Sequence, residues 1–155
     1  TNTKSINSAV IDDGLQYFSV ESATNGTVYI YEVPADVATQ PFGRIVIKSG
    51  YSVPGFFTNG KGAPGSAFPF YPSANKTGKP YILVSGDDDR HAYVMTPLSK
   101  DPKDWRYKQD VVYHGGGTVG QIVMADVNAD GIQEVFVPAY NDNKVVVYQV
   151  TDTEG

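Results

Sequence analysis

The chain has 155 residues, enough for one domain that buries roughly two thirds of the surface its unfolded chain exposes. Its net charge of −5 and pI near 4.8 disfavour an electrostatic nucleic-acid binder. The absence of cysteine excludes disulfide frameworks, thiolate metal sites and cysteine nucleophiles. No apolar run approaches the ~18 residues of a membrane span. The chain begins at Thr1 rather than Met, with neither a basic nor an apolar leader region, so any export signal is expected upstream.

Val outnumbers Leu 20 to 3, alongside 11 Tyr and 7 Phe, a usage that fits pleated, half-buried strands and disfavours helices. The expectation is an all-β protein. In chain order the candidate strands are YFSV at 17–20, VYIYEV at 28–33 and RIVIKS at 44–49. A long Gly/Pro/Ser-rich connection over residues 50–66 follows. Next come GSAFPFYP at 65–72, YILVSG at 81–86, AYVMTP at 92–97 and DVVYH at 110–114, then QIVMADV at 121–127, EVFVPAY at 134–140 and KVVVYQV at 144–150.

Three of these pairs repeat as hairpins. Tyr17–Val20, the tip SATNGT and Val28–Tyr31 align with Tyr81–Val84, the tip SGDDDRH and Ala92–Met95. Both align with Val135–Val137, the tip AYNDNK and Val145–Tyr148. The flanking segments PFGRIVIKSG and DWRYKQDVVYHGG fit outer strands, while GSAFPFYP and GQIVMADV fit inner ones. Strand, hairpin, strand in units of about 50 residues is the pattern of propeller blades, and a β-sandwich of similar hairpins is the alternative. The parse treats residues 1–155 as one domain with units at about 6–49, 64–114 and 118–150. That makes two full four-stranded blades and most of a third, as part of a larger propeller or of an assembled one.

Residues 126–134 read DVNADGIQE and place oxygen side chains at loop positions 1, 3, 5 and 9 with Gly at 6. Alternate positions of a tight loop converge on one point, and calcium takes six to eight oxygens. Asp126, Asn128, Asp130 and Glu134 are the candidate side-chain ligands, with Ile132 contributing its carbonyl and Gly131 allowing the reversal. The alternative is a metal-free Asx turn. An EF-hand is excluded, because position 12 is Val137 and strands, not helices, flank the loop.

The strand before DVNADGIQE, that loop, EVFVPAY and the strand after it together resemble an FG-GAP or VCBS repeat, the calcium-binding blade unit of integrin-type and other secreted propellers. The resemblance covers 118–150, with weaker copies over 6–49 and 64–114. It implies a β-propeller with a metal-stiffened loop in an extracellular adhesion or carbohydrate-binding protein. The second unit lacks Asp over 71–80 and the first keeps only Asp12, Asp13 and Gly14, so one calcium is expected, with a weaker second site at Asp12 and Asp13.

Sequons at Asn25 and Asn75 fall in expected loops, are candidates for glycosylation and favour secretion. A phosphate-loop spacing at Gly55–Lys61 lacks the metal-binding hydroxyl. A dinucleotide-like GKGAPG at 60–65 lacks its βαβ unit, and His114 with Gly115–Gly117 lacks a nucleophile elbow. Asp87, Asp88 and Asp89 form a solvated turn, or else a sugar or second-metal contact. His91 and His114 are too few for a zinc site. Trp105, Tyr107 and Tyr113 could stack on a sugar, but packing between blades is the plainer reading.

The functional expectation is a secreted calcium-binding propeller module for carbohydrate or an extracellular protein, with no nucleic acid, no membrane span and no catalytic residue assigned. The alternatives are a structural subunit of an extracellular assembly, as a homo-oligomer or with further blades, and part of a carbohydrate-active enzyme.

Overall fold

The computed structural model describes residues 9–12, 26–32, 34–54, 61–71, 78–101 and 103–149. They form ten strands: β1 Ala9–Asp12, β2 Gly26–Glu32, β3 Gly43–Tyr51, β4 Ser66–Phe70, β5 Tyr81–Ser85, β6 His91–Pro97, β7 Tyr107–His114, β8 Val123–Ala125, β9 Glu134–Ala139 and β10 Lys144–Gln149. Among the described residues the only helical element is one 3-10 turn, Tyr140–Asp142. The protein is all-β, as the Val-rich, Leu-poor usage dictates.

The strands make three antiparallel meanders: sheet I (β1-β2-β3), sheet II (β4-β5-β6-β7) and sheet III (β8-β9-β10). Among the described residues none closes on itself. Sheet II contains the four strands expected of the middle unit, and both expected hairpins of units two and three are present. The first hairpin differs. Its expected first arm, Tyr17–Val20, lies outside the described residues, and β1 occupies that edge of β2 through the pairs Ala9↔Ile30 and Asp12↔Thr27. The connection after β3 also begins later than expected, because β3 runs to Tyr51, and Val53 and Ala63 are buried within it.

Sheet II is covered on both faces. Ile82, Val84, Tyr93 and Met95 pack against Val28, Ile30, Tyr51 and Val53. Phe70, Leu83 and Ala92, pointing the other way, pack against Val119, Ile122, Val135 and Val137. Side chains alternate faces along a strand, so a strand buried on both sides must be apolar without interruption, which is why β5 reads Tyr-Ile-Leu-Val.

Hydrogen-bonded latches fix the sense of stacking. Before sheet II, Gly65 N–H donates to the Ser85 carbonyl (2.8 Å), Gly62 N–H donates to Asp88 Oδ2 (3.1 Å) and Asp88 N–H returns a bond to the Gly62 carbonyl. Before sheet III the pattern recurs: Gly120 N–H to the Pro138 carbonyl (2.8 Å), Thr118 N–H to Asn141 Oδ1 (2.8 Å) and Tyr140 N–H to the Thr118 carbonyl. Arg90 and Asn143, the residues before β6 and β10, both take a left-handed conformation, at φ of 73° and 49°. Val119 bridges the two tips, pairing with Asp87 and Ala139 and accepting a bond from Ser85 Oγ at 2.6 Å.

These equivalences align Ser85 with Pro138 and Ile82 with Val135, one residue away from the sequence alignment, which set Tyr81 against Val135. A one-residue slip inverts every side chain. The corrected register puts Ile82 and Val135, and Val84 and Val137, on matching faces. At the start of β2, a Cβ on Gly26 would stand 1.7 Å from the Ala63 carbonyl oxygen, so only glycine lets this strand approach the loop that latches Asp88. The starts of β2, β6 and β10 thus share one edge, and the three strands run in the same direction.

Candidate metal centre

The loop between β8 and β9 is built from its own side chains. Asp126, directly after β8, accepts from Asp130 N–H through Oδ1 (3.2 Å) and from Gly131 N–H through Oδ2 (2.9 Å). Asn128 Oδ1 also accepts from Asp130 N–H, at 3.0 Å. Asp130 Oδ1 accepts from Ile132 N–H at 2.8 Å, and its Oδ2 takes the amides of Asn128 (2.9 Å) and Gln149 (3.3 Å). Glu134 opens β9, is only 6% exposed, and receives Val127 N–H on Oε2 at 3.1 Å. Ala129 and Gly131 have φ of 60° and 87° and supply the two reversals. A Cβ at Gly131 would meet nothing within 4 Å, so it is the backbone conformation, not space, that calls for glycine there.

The structure therefore brings Asp126, Asn128 and Asp130 into one turn that joins strand to strand, with Glu134 tied to it from the strand side and the Ile132 backbone between them. Their side-chain oxygens accept from backbone N–H groups of the loop, as in an Asx turn. Among the described residues no three His, Cys, Asp or Glu side chains form a group able to hold a metal ion. The donor set consists of carboxylate, amide and carbonyl oxygens, the chemistry that hard divalent cations select, so the residues present fit calcium by type. Sequence reasoning missed Gln149. It lies across from Glu134 in the β9–β10 register, a neighbour that local spacing does not reveal.

Other candidates fall elsewhere. Asp12 ends β1, where its backbone pairs with Thr27, and Asp13, Asn25 and Asn75 lie outside the described residues. The turn at Asp87–Asp89 is not simply solvated. Asp88 accepts from Thr118 Oγ1 (2.7 Å), Gly62 N–H and Lys61 Nζ (3.2 Å). Burial raises its pKa, but these bonds outweigh burial and hold the carboxyl below its ordinary value. Asp89, 5% exposed, accepts from the Tyr93 hydroxyl at 2.6 Å and from His91 N–H at 2.9 Å. Burial, reinforced by Asp89, pushes the Tyr93 phenol upward.

His91 and His114 sit opposite one another across β6 and β7 with stacked rings 4.5 Å apart, and His91 Nδ1 is 3.4 Å from Asp89 Oδ1. Trp105 and Tyr107 pack on the core between sheets I and II, and Tyr113 packs on that between II and III, as the plainer reading expected. The Tyr113 hydroxyl donates to Asp142 at 2.5 Å, which raises the Tyr113 pKa to about 12 and lowers that of Asp142. Of the look-alike motifs, Lys61 and Gly62 are engaged by Asp88. Gly115 and Gly116 follow β7 in a turn, where their N–H groups bond the Arg90 carbonyl and the Asp142 carboxylate.

The fold and the loop define an all-β protein of three stacked meanders with an acidic oxygen-donor turn. Comparison with protein-family models finds none that matches this chain, and comparisons with curated proteins and with solved structures find no match.

Proposed function

We propose that the chain is an extracellular, calcium-binding β-propeller module that binds carbohydrate or an adhesion partner at its rim. The observation that carries this reading is the β8–β9 turn, where Asp126, Asn128 and Asp130 share one tight loop with the buried carboxylate of Glu134 beside it. Calcium bound there would draw on those four side chains and the Ile132 carbonyl, and would supply charge neutralisation that stiffens the connection between two strands. The propeller part is supported by meander sheets stacked in one sense through the same latch. The extracellular setting, glycosylation at Asn25 and Asn75, and the carbohydrate or adhesion ligand rest on the sequons and on the resemblance to FG-GAP and VCBS repeats.

The test compares thermal melting in calcium and in chelator for the parent and Asp130→Ala, with a glycan array run under both conditions. A ligand at a hundred times its Kd stabilises the folded state by about 2.7 kcal/mol, so the parent melts several degrees higher in calcium and the variant loses most of that difference. A parent that melts identically in both solutions removes the metal from this reading. A second reading, as a subunit of a larger extracellular assembly, is favoured by the apolar outer faces of sheets I and III, where Val46, Val145 and Val147 are 55%, 57% and 51% exposed.

A further inference from the structure

Sheet II shows what an interior sheet of this protein looks like, and the outer sheets repeat its chemistry without its cover. The register makes Phe136, Val145 and Val147 of sheet III the counterparts of Leu83, Ala92 and Val94 of sheet II. Leu83 and Ala92 are buried beneath sheet III at 3% and 0% exposure, whereas Val145, Val147 and the neighbouring Val123 are about half exposed, at 57%, 51% and 48%. Val123, Phe136 and Val147 form one cross-strand row on this face. Among the described residues the face at the opposite end of the stack is also open, with Val46 55% exposed. There Tyr29 pairs with Val46 and Tyr31 with Arg44, and the Arg44 guanidinium lies 4.8 Å over the Tyr29 ring.

We infer that these two faces bind each other between two copies of this chain, sheet III of one copy on sheet I of the other, so that two copies close a ring of six sheets. This rests on the blade reading given above.

Three observations select a second copy as the occupant. Both cores inside the chain are made by sheets of this chain stacked in the same sense, so sheet III on sheet I of another copy continues a packing that already occurs twice. The charges also match. Asp130 contacts Gln149 at the end of β10, and Arg44, the second residue of β3, lies beside the end of β2, where Tyr31 pairs with Arg44 and Glu32 with Gly43. Because β2 and β10 run the same way, continuing the stack sets Arg44 at the edge that carries Asp126 and Asp130. With a dication bound, the three carboxylates Asp126, Asp130 and Glu134 still leave that edge formally negative. Finally, the faces are not self-complementary: that of sheet III carries Val123, Phe136, Val145 and Val147 with an acidic edge, and that of sheet I carries Tyr29, Tyr31 and Val46 with a cation. A head-to-tail contact fits them better than an isologous one, and six sheets fall within the four to eight blades of closed propellers.

Sedimentation equilibrium of the intact chain is expected to give twice 16.8 kDa. Val147→Asp, at an exposed position of the free chain, buries a charge in the contact and weakens dimerisation by about tenfold or more. Arg44→Glu brings like charges together and weakens it as well, leaving a monomer with the parent's circular dichroism. Because the chain has no cysteine, Val46→Cys and Val147→Cys copies can be mixed and treated with a short bismaleimide. Cross-linked dimers are expected from the mixture and not from Val147→Cys alone. A parent that stays monomeric at all concentrations, a dimer unmoved by both charge variants, or efficient Val147→Cys self-cross-linking each overturns the inference. A calcium-stabilised monomer discards the ring and keeps the metal reading, whereas a dimer indifferent to calcium does the reverse.

Discussion

A few polar side chains decide how the sheets are joined. Asp88 and Asn141 occupy the same place in two hairpin tips and accept from the backbone of the loop that precedes their own sheet. Asp88 adds Thr118 and Lys61, so one carboxylate ties the 61–65 loop, the β5–β6 tip and the β7–β8 connection together. Its pKa lies below the ordinary carboxylate value in the folded state. A depressed carboxylate stabilises the fold above its unfolded pKa of about 3.9, and that contribution is lost as pH falls through the folded value. The Asp142 carboxyl, lowered chiefly by the Tyr113 hydroxyl, acts in the same direction. Melting temperature is therefore expected to drop as pH falls below about 4, and Asp88→Asn to start lower at neutral pH with a shallower acid slope. An unchanged slope in the variant would assign the acid sensitivity to other carboxylates.

At the scale of elements, burial on two faces separates β5 and β6 from the outer strands. Met95, fully buried between sheets I and II, is expected to cost about 2–5 kcal/mol on truncation to Ala. Val111→Ala, 56% exposed on β7, is expected to stay within about 0.5 kcal/mol. Urea unfolding of the two variants measures the contrast, and equal losses would contradict the stacking described for sheet II. The existence and order of these strands were legible in the sequence, since β-branched and aromatic runs between turn residues are local signals. Register was not. In Tyr81–Val84 and Val145–Val147 every residue is apolar, so no alternation marks which side chains face which neighbour, and the sequence alignment slipped by one position in the first arm. The first unit departs furthest from the sequence expectation, because β1 is the strand that pairs with β2.

For the whole molecule, cohesion comes from two separate cores bridged by sheet II. Close approach of backbone to backbone lets sheet I join the stack. Gly26→Ala places a Cβ against the Ala63 carbonyl and is expected to cost about 1–3 kcal/mol by forcing sheet I away from the 61–65 loop. Chemical denaturation measures it, and a variant as stable as the parent would mean that sheet I is not anchored there.

The all-β class, the hairpin tips of units two and three and the membership of the Asp126–Glu134 turn were all set by residues within about ten positions of one another. Chain stereochemistry and side-chain type suffice at that range. The latches of Asp88 and Asn141, the stacking of His91 on His114, the approach of Gln149 to Asp130 and the two uncovered faces were decided only in three dimensions. Hydrophobic association is non-directional, so one Val-rich face serves as well as another until backbone hydrogen bonds between loop and tip fix which sheets meet and in what sense.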